Sequence, residues 1–159
     1  MEGTDYWPLM TSMFWFEWRI WGNNPGPFHA VNIVLHAIAA VLLWRVLLRV
    51  NVNSPGAFLA ALIFAIHPVT VESVAWIAER KDGLSTLFWL LATLAYWKWT
   101  VERGIGRYLL VFGLMALGLL AKPMLVTLPC TLLLLDSQHG KWRELLQRRL
   151  RRGRPALLH

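Results

Sequence analysis

His67–Ser85 reads HPVTVESVAWIAERKDGLS. Five charged side chains, Glu72, Glu79, Arg80, Lys81 and Asp82, stand here between two apolar runs long enough to enter a bilayer. Hydrocarbon cannot solvate such groups, so between membrane segments they belong at a water-facing surface or in a polar cavity. The stretch therefore reads as part of the rim of a site, and the apolar runs on either side read as the helices that hold it.

The composition agrees with that reading. The chain has 159 residues, of which 57% are hydrophobic and only 16% charged, with ten tryptophans; its mean hydropathy is +0.46. A soluble domain carries about a quarter charged residues. The apolar excess is gathered into long runs, which implies an all-α, polytopic helical membrane protein. Indole favours the headgroup region, so the tryptophans fit. A formal charge of +7 invites a nucleic-acid reading. The excess, however, lies mostly in one tail, Lys141–Arg154, next to an apolar run. That placement predicts a cytoplasmic flank on anionic lipid and no nucleic-acid partner. Cys130 is the single cysteine, so no intrachain disulfide forms. The start, Met1–Asp5, lacks the basic leader of a signal peptide.

Upstream of the central stretch, Tyr6–Phe28 reads YWPLMTSMFWFEWRIWGNNPGPF. Aromatic and apolar residues mix with Glu17 and Arg19, and the run ends in a Gly/Asn/Pro turn. This predicts an interfacial amphipathic segment over 6–28. Spans are expected at about 29–48, 57–67, 84–99, 108–121 and 123–136, giving a membrane domain over 1–136 and a basic cytoplasmic tail over 137–159. In the first span His29, Asn32 and His36 fall at i, i+3 and i+7, one helical face that should look into the bundle or a cavity. If a helix continues past Pro68, Glu72, Trp76 and Glu79 share a face at i, i+4 and i+7.

Loop charge sets the expected orientation. Arg45 and Arg49 lie in one basic connection and Lys98, Arg103 and Arg107 in another, whereas the Glu72–Asp82 stretch is net acidic. Positive loops stay inside, so the acidic loops lie outside. Breaking the last apolar run at Lys122-Pro123 returns the basic tail to the inside and puts Lys122 outside. His29, the His67–Asp82 stretch and Lys122 then share the outer face.

Three runs in order, WGNNPGPFHAVNIVLH, FAIHPVTVESVAWIAERKDGLSTLFWLL and RYLLVFGLMALGLLAKPMLVTLPCTLLLLD, resemble the transmembrane and TPR-repeat proteins related to protein O-mannosyltransferases, of the GT-C glycosyltransferase fold. The resemblance covers nearly all of Tyr6–Asp136. It implies transfer of a sugar from a polyprenyl-phosphate carrier to a protein or glycan acceptor at the outer face of a membrane, expected here to be a bacterial inner membrane. By position, Glu79–Asp82 looks like the family's second acidic element, near which some members bind a divalent metal, and Lys122 in AKPM looks placed to meet a lipid-linked phosphate. Such proteins carry a further membrane helix and an acidic pair before the YWPL-like stretch, and Glu2 and Asp5 do not match that pair. The expectation is therefore a partial module, inactive alone.

Glycosyl transfer to a hydroxyl needs a base at the acceptor and charge stabilisation on the departing phosphate. Asp82 and Glu79 are the candidate catalytic acids. Arg80, Lys81 and Lys122 are candidate phosphate ligands, and His29, His36 and Glu72 candidate substrate-binding residues. No His/Cys/Asp cluster has metal-ligand spacing, so no metal residues are assigned. The rival reading is a non-catalytic scaffold or a transporter-like subunit with an outer polar pocket.

Overall fold

The structure, a computed structural model, describes residues 7–137, with the side chains of Glu72, Ser73 and Ala78 left aside. It is helical throughout the described residues, in the order α1 Pro8–Trp21, α2 Pro25–Arg49, α3 Ser54–Ile66, α4 Pro68–Ala75, α5 Arg80–Val101 and α6 Ile105–Ala121. Short 3₁₀ turns lie at Ile77–Glu79 and Pro123–Thr127.

Proline and asparagine punctuate these helices. Asn24 Oδ1 accepts from the Gly26 amide at 3.1 Å, and Asn53 Oδ1 accepts from Gly56 at 3.2 Å, so α2 and α3 are capped alike with proline in the first turn. Gly22 ends α1 at φ +60°, where only glycine is unstrained, and its amide donates to Trp18 O at 2.8 Å. His67, extended ahead of Pro68, separates α3 from α4.

α5 packs along both α2 and α6, and α2 also packs on α3. The α2–α5 seam buries Ala39, Val46 and Leu90, with Leu42, Leu43, Phe64, Trp89 and Leu94 against them. Ala57, Ala61, Ala92, Ala95 and Ala121 are also buried. Small residues at these positions let helix backbones approach closely, as in membrane bundles. Gly118 shows the constraint: a Cβ there would lie 2.0 Å from Leu125 Cδ2 and 3.1 Å from Phe88 Cβ.

Pro25–Arg49 is the one described helix both long and apolar enough to cross a membrane; Ser54–Ile66, Ile105–Ala121 and Pro123–Ser137 are apolar but shorter. α2 starts four residues before the expected span because Asn24-Pro25 caps it. The chain does break at Lys122, which is extended, but Pro123–Thr127 form a 3₁₀ turn before residues 128–137 become helical. Among the described residues, those from Thr127 to Ser137 belong to a second unit. Within it, Thr131 Oγ1 donates to Thr127 O at 3.3 Å. The basic tail lies outside the described residues, apart from Ser137 at its start.

One helical expectation is corrected. α4 ends at Ala75, Trp76 is extended (φ −87°, ψ 112°), and a 3₁₀ turn follows. Glu72, Trp76 and Glu79 therefore do not share a helix face. The break lets Arg80 begin a new helix and point into the protein.

Candidate functional site

The site is built around the start of α5. Arg80 is 2% exposed, a costly position for a guanidinium unless its donors are met. Nε donates to Asn32 Oδ1 at 2.7 Å, Nη1 to Glu17 Oε2 at 2.5 Å, and Nη2 to the Phe28 carbonyl at 2.8 Å. The guanidinium carbon lies 4.5 Å from the Phe14 ring centre and 5.9 Å from that of Phe28. One side chain thus ties α5 to α1 and α2. Asn32 extends the tie, donating from Nδ2 to Val74 O of α4 at 3.2 Å.

This arrangement places Arg80, expected from the sequence as a phosphate ligand, inside the protein at the edge of the recess it helps to line. Three of its donors are spent inside the protein and its side chain has no exposed surface. It positions the turn that carries Asp82.

Asp82 lies in the first turn of α5 and is one-third exposed. Lys122 Nζ donates to Asp82 Oδ1 at 2.5 Å, across forty residues of sequence. Pro123 helps place this lysine: α6 stops, Lys122 turns extended, and its amide still donates to Gly118 O at 2.9 Å. Asp82 also lines a half-open recess of about 140 Å³ with Asn32, His36, Thr70, Arg80 and Thr86. Apolar walls come from Leu35, Phe64, Val69 and Val74. His36 stacks on Phe64 with ring centres 5.1 Å apart, and its Nε2 lies 3.2 Å from Ala65 O. Because a carbonyl only accepts, this contact places the imidazole proton on Nε2. Thr70 Oγ1 lies 2.6 Å from Phe64 O and 2.8 Å from His67 O, holding the α3–α4 corner that forms one wall.

The remaining candidates lie apart from this recess. Glu79 and Lys81 pair with each other at 3.7 Å, and Lys81 Nζ sits 5.7 Å from the Trp7 ring centre. Neither lines the recess, so of the two candidate acids only Asp82 does. His29 is half-buried on α2 and does not line it. The Glu72 side chain lies outside the described residues.

Glu17 is the residue that sequence reading did not single out. It is 3% exposed, and its Oε1 is buried with no hydrogen-bond donor among the described residues. Its signal was being the only acid in the aromatic run, since a lone carboxylate among apolar residues calls for a buried cation. Among the described residues no three His, Cys, Asp or Glu side chains gather as a metal-holding group.

Residues 7–151 match the family model of dolichyl-phosphate-mannose-protein mannosyltransferases. The chain belongs to this family. Similar members include the human protein O-mannosyl-transferase TMTC1, 41% identical over 93 residues (58% of this chain and 10% of the relative). The mouse protein O-mannosyl-transferase TMTC2 is 39% identical over 100 residues (63% of this chain, 12% of the relative). The fruit-fly protein O-mannosyl-transferase Tmtc1 is 32% identical over 120 residues (76% of this chain, 14% of the relative). The chain thus spans between a tenth and a seventh of the length of these relatives. No solved structure matches it.

The Asp82–Lys122 pair is a partly exposed ion pair next to the recess that Asp82 lines. A lysine held by a carboxylate can exchange that partner for a phosphate oxygen, since both are charge-assisted hydrogen bonds of similar geometry. Asp82 lines the recess, whose walls are mostly apolar with Asn32, His36, Thr70 and Thr86 among the polar lining residues.

Proposed function

We propose that this chain is part of a polytopic membrane glycosyltransferase module of GT-C type. In this reading its Asp82–Lys122 pair receives a polyprenyl-phosphate-linked sugar at the outer face. The observation that carries the proposal is the 2.5 Å contact of Lys122 Nζ with Asp82 Oδ1 beside the recess.

Lys122 binds the carrier phosphate and stabilises the charge left there as the glycosidic bond breaks. Release from Lys122 leaves the Asp82 carboxylate free to accept a proton from the acceptor hydroxyl. His36, Asn32 and Thr70 line the space where sugar hydroxyls would lie. Arg80, locked by Glu17, keeps the first turn of α5 in register with the recess. The volume, about 140 Å³, suits one sugar unit and not a whole carrier, so the polyprenyl chain stays in lipid.

Membrane embedding is supported by the apolar α2 and by outward apolar side chains along α3 and α6, among them Phe58, Ile66, Leu109 and Phe112. α1, which exposes Trp15, Phe16 and Trp18, suits the headgroup layer. Mannose as the sugar and a protein as the acceptor follow from the names of the relatives.

The test is carrier binding to the 159-residue chain in lipid nanodiscs, with a photoreactive polyprenyl phosphate as probe. Wild type should be labelled, and Lys122→Met, which keeps the apolar stem, should lose most of the labelling. Equal labelling of the two would remove Lys122 from the site.

A further inference from the structure

α2, α5 and α6 enclose a second recess, of about 640 Å³. Arg45, Arg49 and Lys98 border it, and Leu94, Leu110 and Leu114 form much of its apolar wall. From Asp82 to Lys98 the axial rise of α5 is about 24 Å. That is not far short of the roughly 30 Å of bilayer hydrocarbon. The recess therefore lies at the end of α5 opposite the Asp82–Lys122 pair.

Two features mark this recess as more than a helix surface. No carboxylate lines it, and none of its three cations has an acidic partner among the described residues. Arg49 closes α2 and Lys98 closes α5, where cations complement the helix carbonyl ends, and Arg45 stands one turn further into α2. The helix ends explain the sign of the charges but not why they border an apolar recess between three helices.

We infer that this recess holds one anionic phospholipid, its phosphate among Arg45, Arg49 and Lys98 and an acyl chain along Leu94, Leu110 and Leu114. Charge complementarity selects an anionic headgroup. The apolar wall selects a lipid over a soluble anion, whose desolvation it would not repay. The inference rests on the membrane reading but not on sugar transfer. It gives the chain a lipid that pins α2, α5 and α6 together at the inner end, remote from the proposed donor site.

Native mass spectrometry of the detergent-purified 159-residue chain, offered phosphatidylglycerol or phosphatidylcholine, tests this. Wild type should retain phosphatidylglycerol preferentially. Arg45→Gln/Arg49→Gln should weaken that retention about fivefold per charge removed. Leu110→Trp, which fills the apolar wall at an exposed position and keeps every charge, should also weaken it. The masking effect of other basic residues is the same in all three proteins. Equal retention of the two lipids overturns the inference, as does wild-type retention by Leu110→Trp, which would reduce the site to a basic flank. Competition by glycerol phosphate as strong as by the lipid would make it a free-anion site and overturn it as well. Alkaline extraction of membranes, run alongside, separates this failure from failure of the membrane reading: a chain that resists extraction but shows no lipid preference refutes the lipid site alone.

Discussion

Arg80 Nη1 lies 2.5 Å from Glu17 Oε2, joining the start of α5 to the middle of α1 with both side chains buried. A buried pair of this kind contributes little net stability beside an apolar substitute, yet removing one partner strands the other. Glu17→Gln should therefore destabilise the chain by about 3–5 kcal/mol. Glu17→Gln combined with Arg80→Met should recover a large part of that loss, because no uncompensated charge stays buried. Denaturant midpoints in detergent, followed by tryptophan fluorescence, give both values. A Glu17→Gln midpoint equal to wild type would show that the pair is not closed in the folded protein.

This pair also marks the boundary of what the sequence discloses. The breaks between helices were legible in outline, at the Gly/Asn/Pro turn before α2 and at His67-Pro68, but the helix starts were not: α2 begins at Pro25, four residues before the expected span, because Asn24 caps it. The polar face of α2 was legible from its spacing, and two of its members, Asn32 and His36, line the recess. Glu17 was not. An acid among aromatics fits a headgroup layer as well as a core, and its partner is 63 residues away. Within Glu79–Asp82 four adjacent charges look alike in sequence. Only the helix break at Trp76 and the new start at Arg80 decide which side chain turns inward.

Close helix packing at Gly118 gives a second expected outcome. Alanine there would push against Leu125 Cδ2 and Phe88 Cβ. Leu125 is itself buried, with little room to retreat. Overpacking of this kind costs about 1–3 kcal/mol. Gly118→Ala should lower the thermal midpoint, and adding Leu125→Ala should restore part of it. A Gly118→Ala protein as stable as wild type would mean that α6 stands further from Leu125 and Phe88.

Orientation is tested by accessibility. In a Cys130→Ala background, Trp76→Cys lies at an exposed position before α5 and Gly104→Cys at an exposed position before α6. With acidic loops outside and basic loops inside, a membrane-impermeant thiol reagent added to intact cells should label Trp76→Cys and spare Gly104→Cys. The reverse pattern would place the Asp82–Lys122 pair inside and remove the outer-face reading.

The two partners of the Asp82–Lys122 pair should respond in opposite directions. Lys122 and Asp82 are each about a third exposed (28% and 33%). Their mutual attraction is therefore screened, and loss of either should change stability by about 1 kcal/mol or less. Their effects on carrier binding differ in sign. Lys122→Met removes the cation and should weaken polyprenyl-phosphate binding by about tenfold or more, the value of a hydrogen bond to a charged group. Asp82→Asn removes the carboxylate that competes for Lys122, so binding should hold or tighten, by up to about fivefold for a pair this exposed. In any assembly in which the chain supports sugar transfer, the same Asp82→Asn change should cost turnover about 10²-fold, because charge on the reacting groups is then left unbalanced. Titration of carrier lipid against the three proteins, with thermal midpoints measured in parallel, reads the split directly. Parallel losses of binding in both variants, without loss of fold, would mean that the pair acts as a structural lock and that the donor phosphate is held elsewhere.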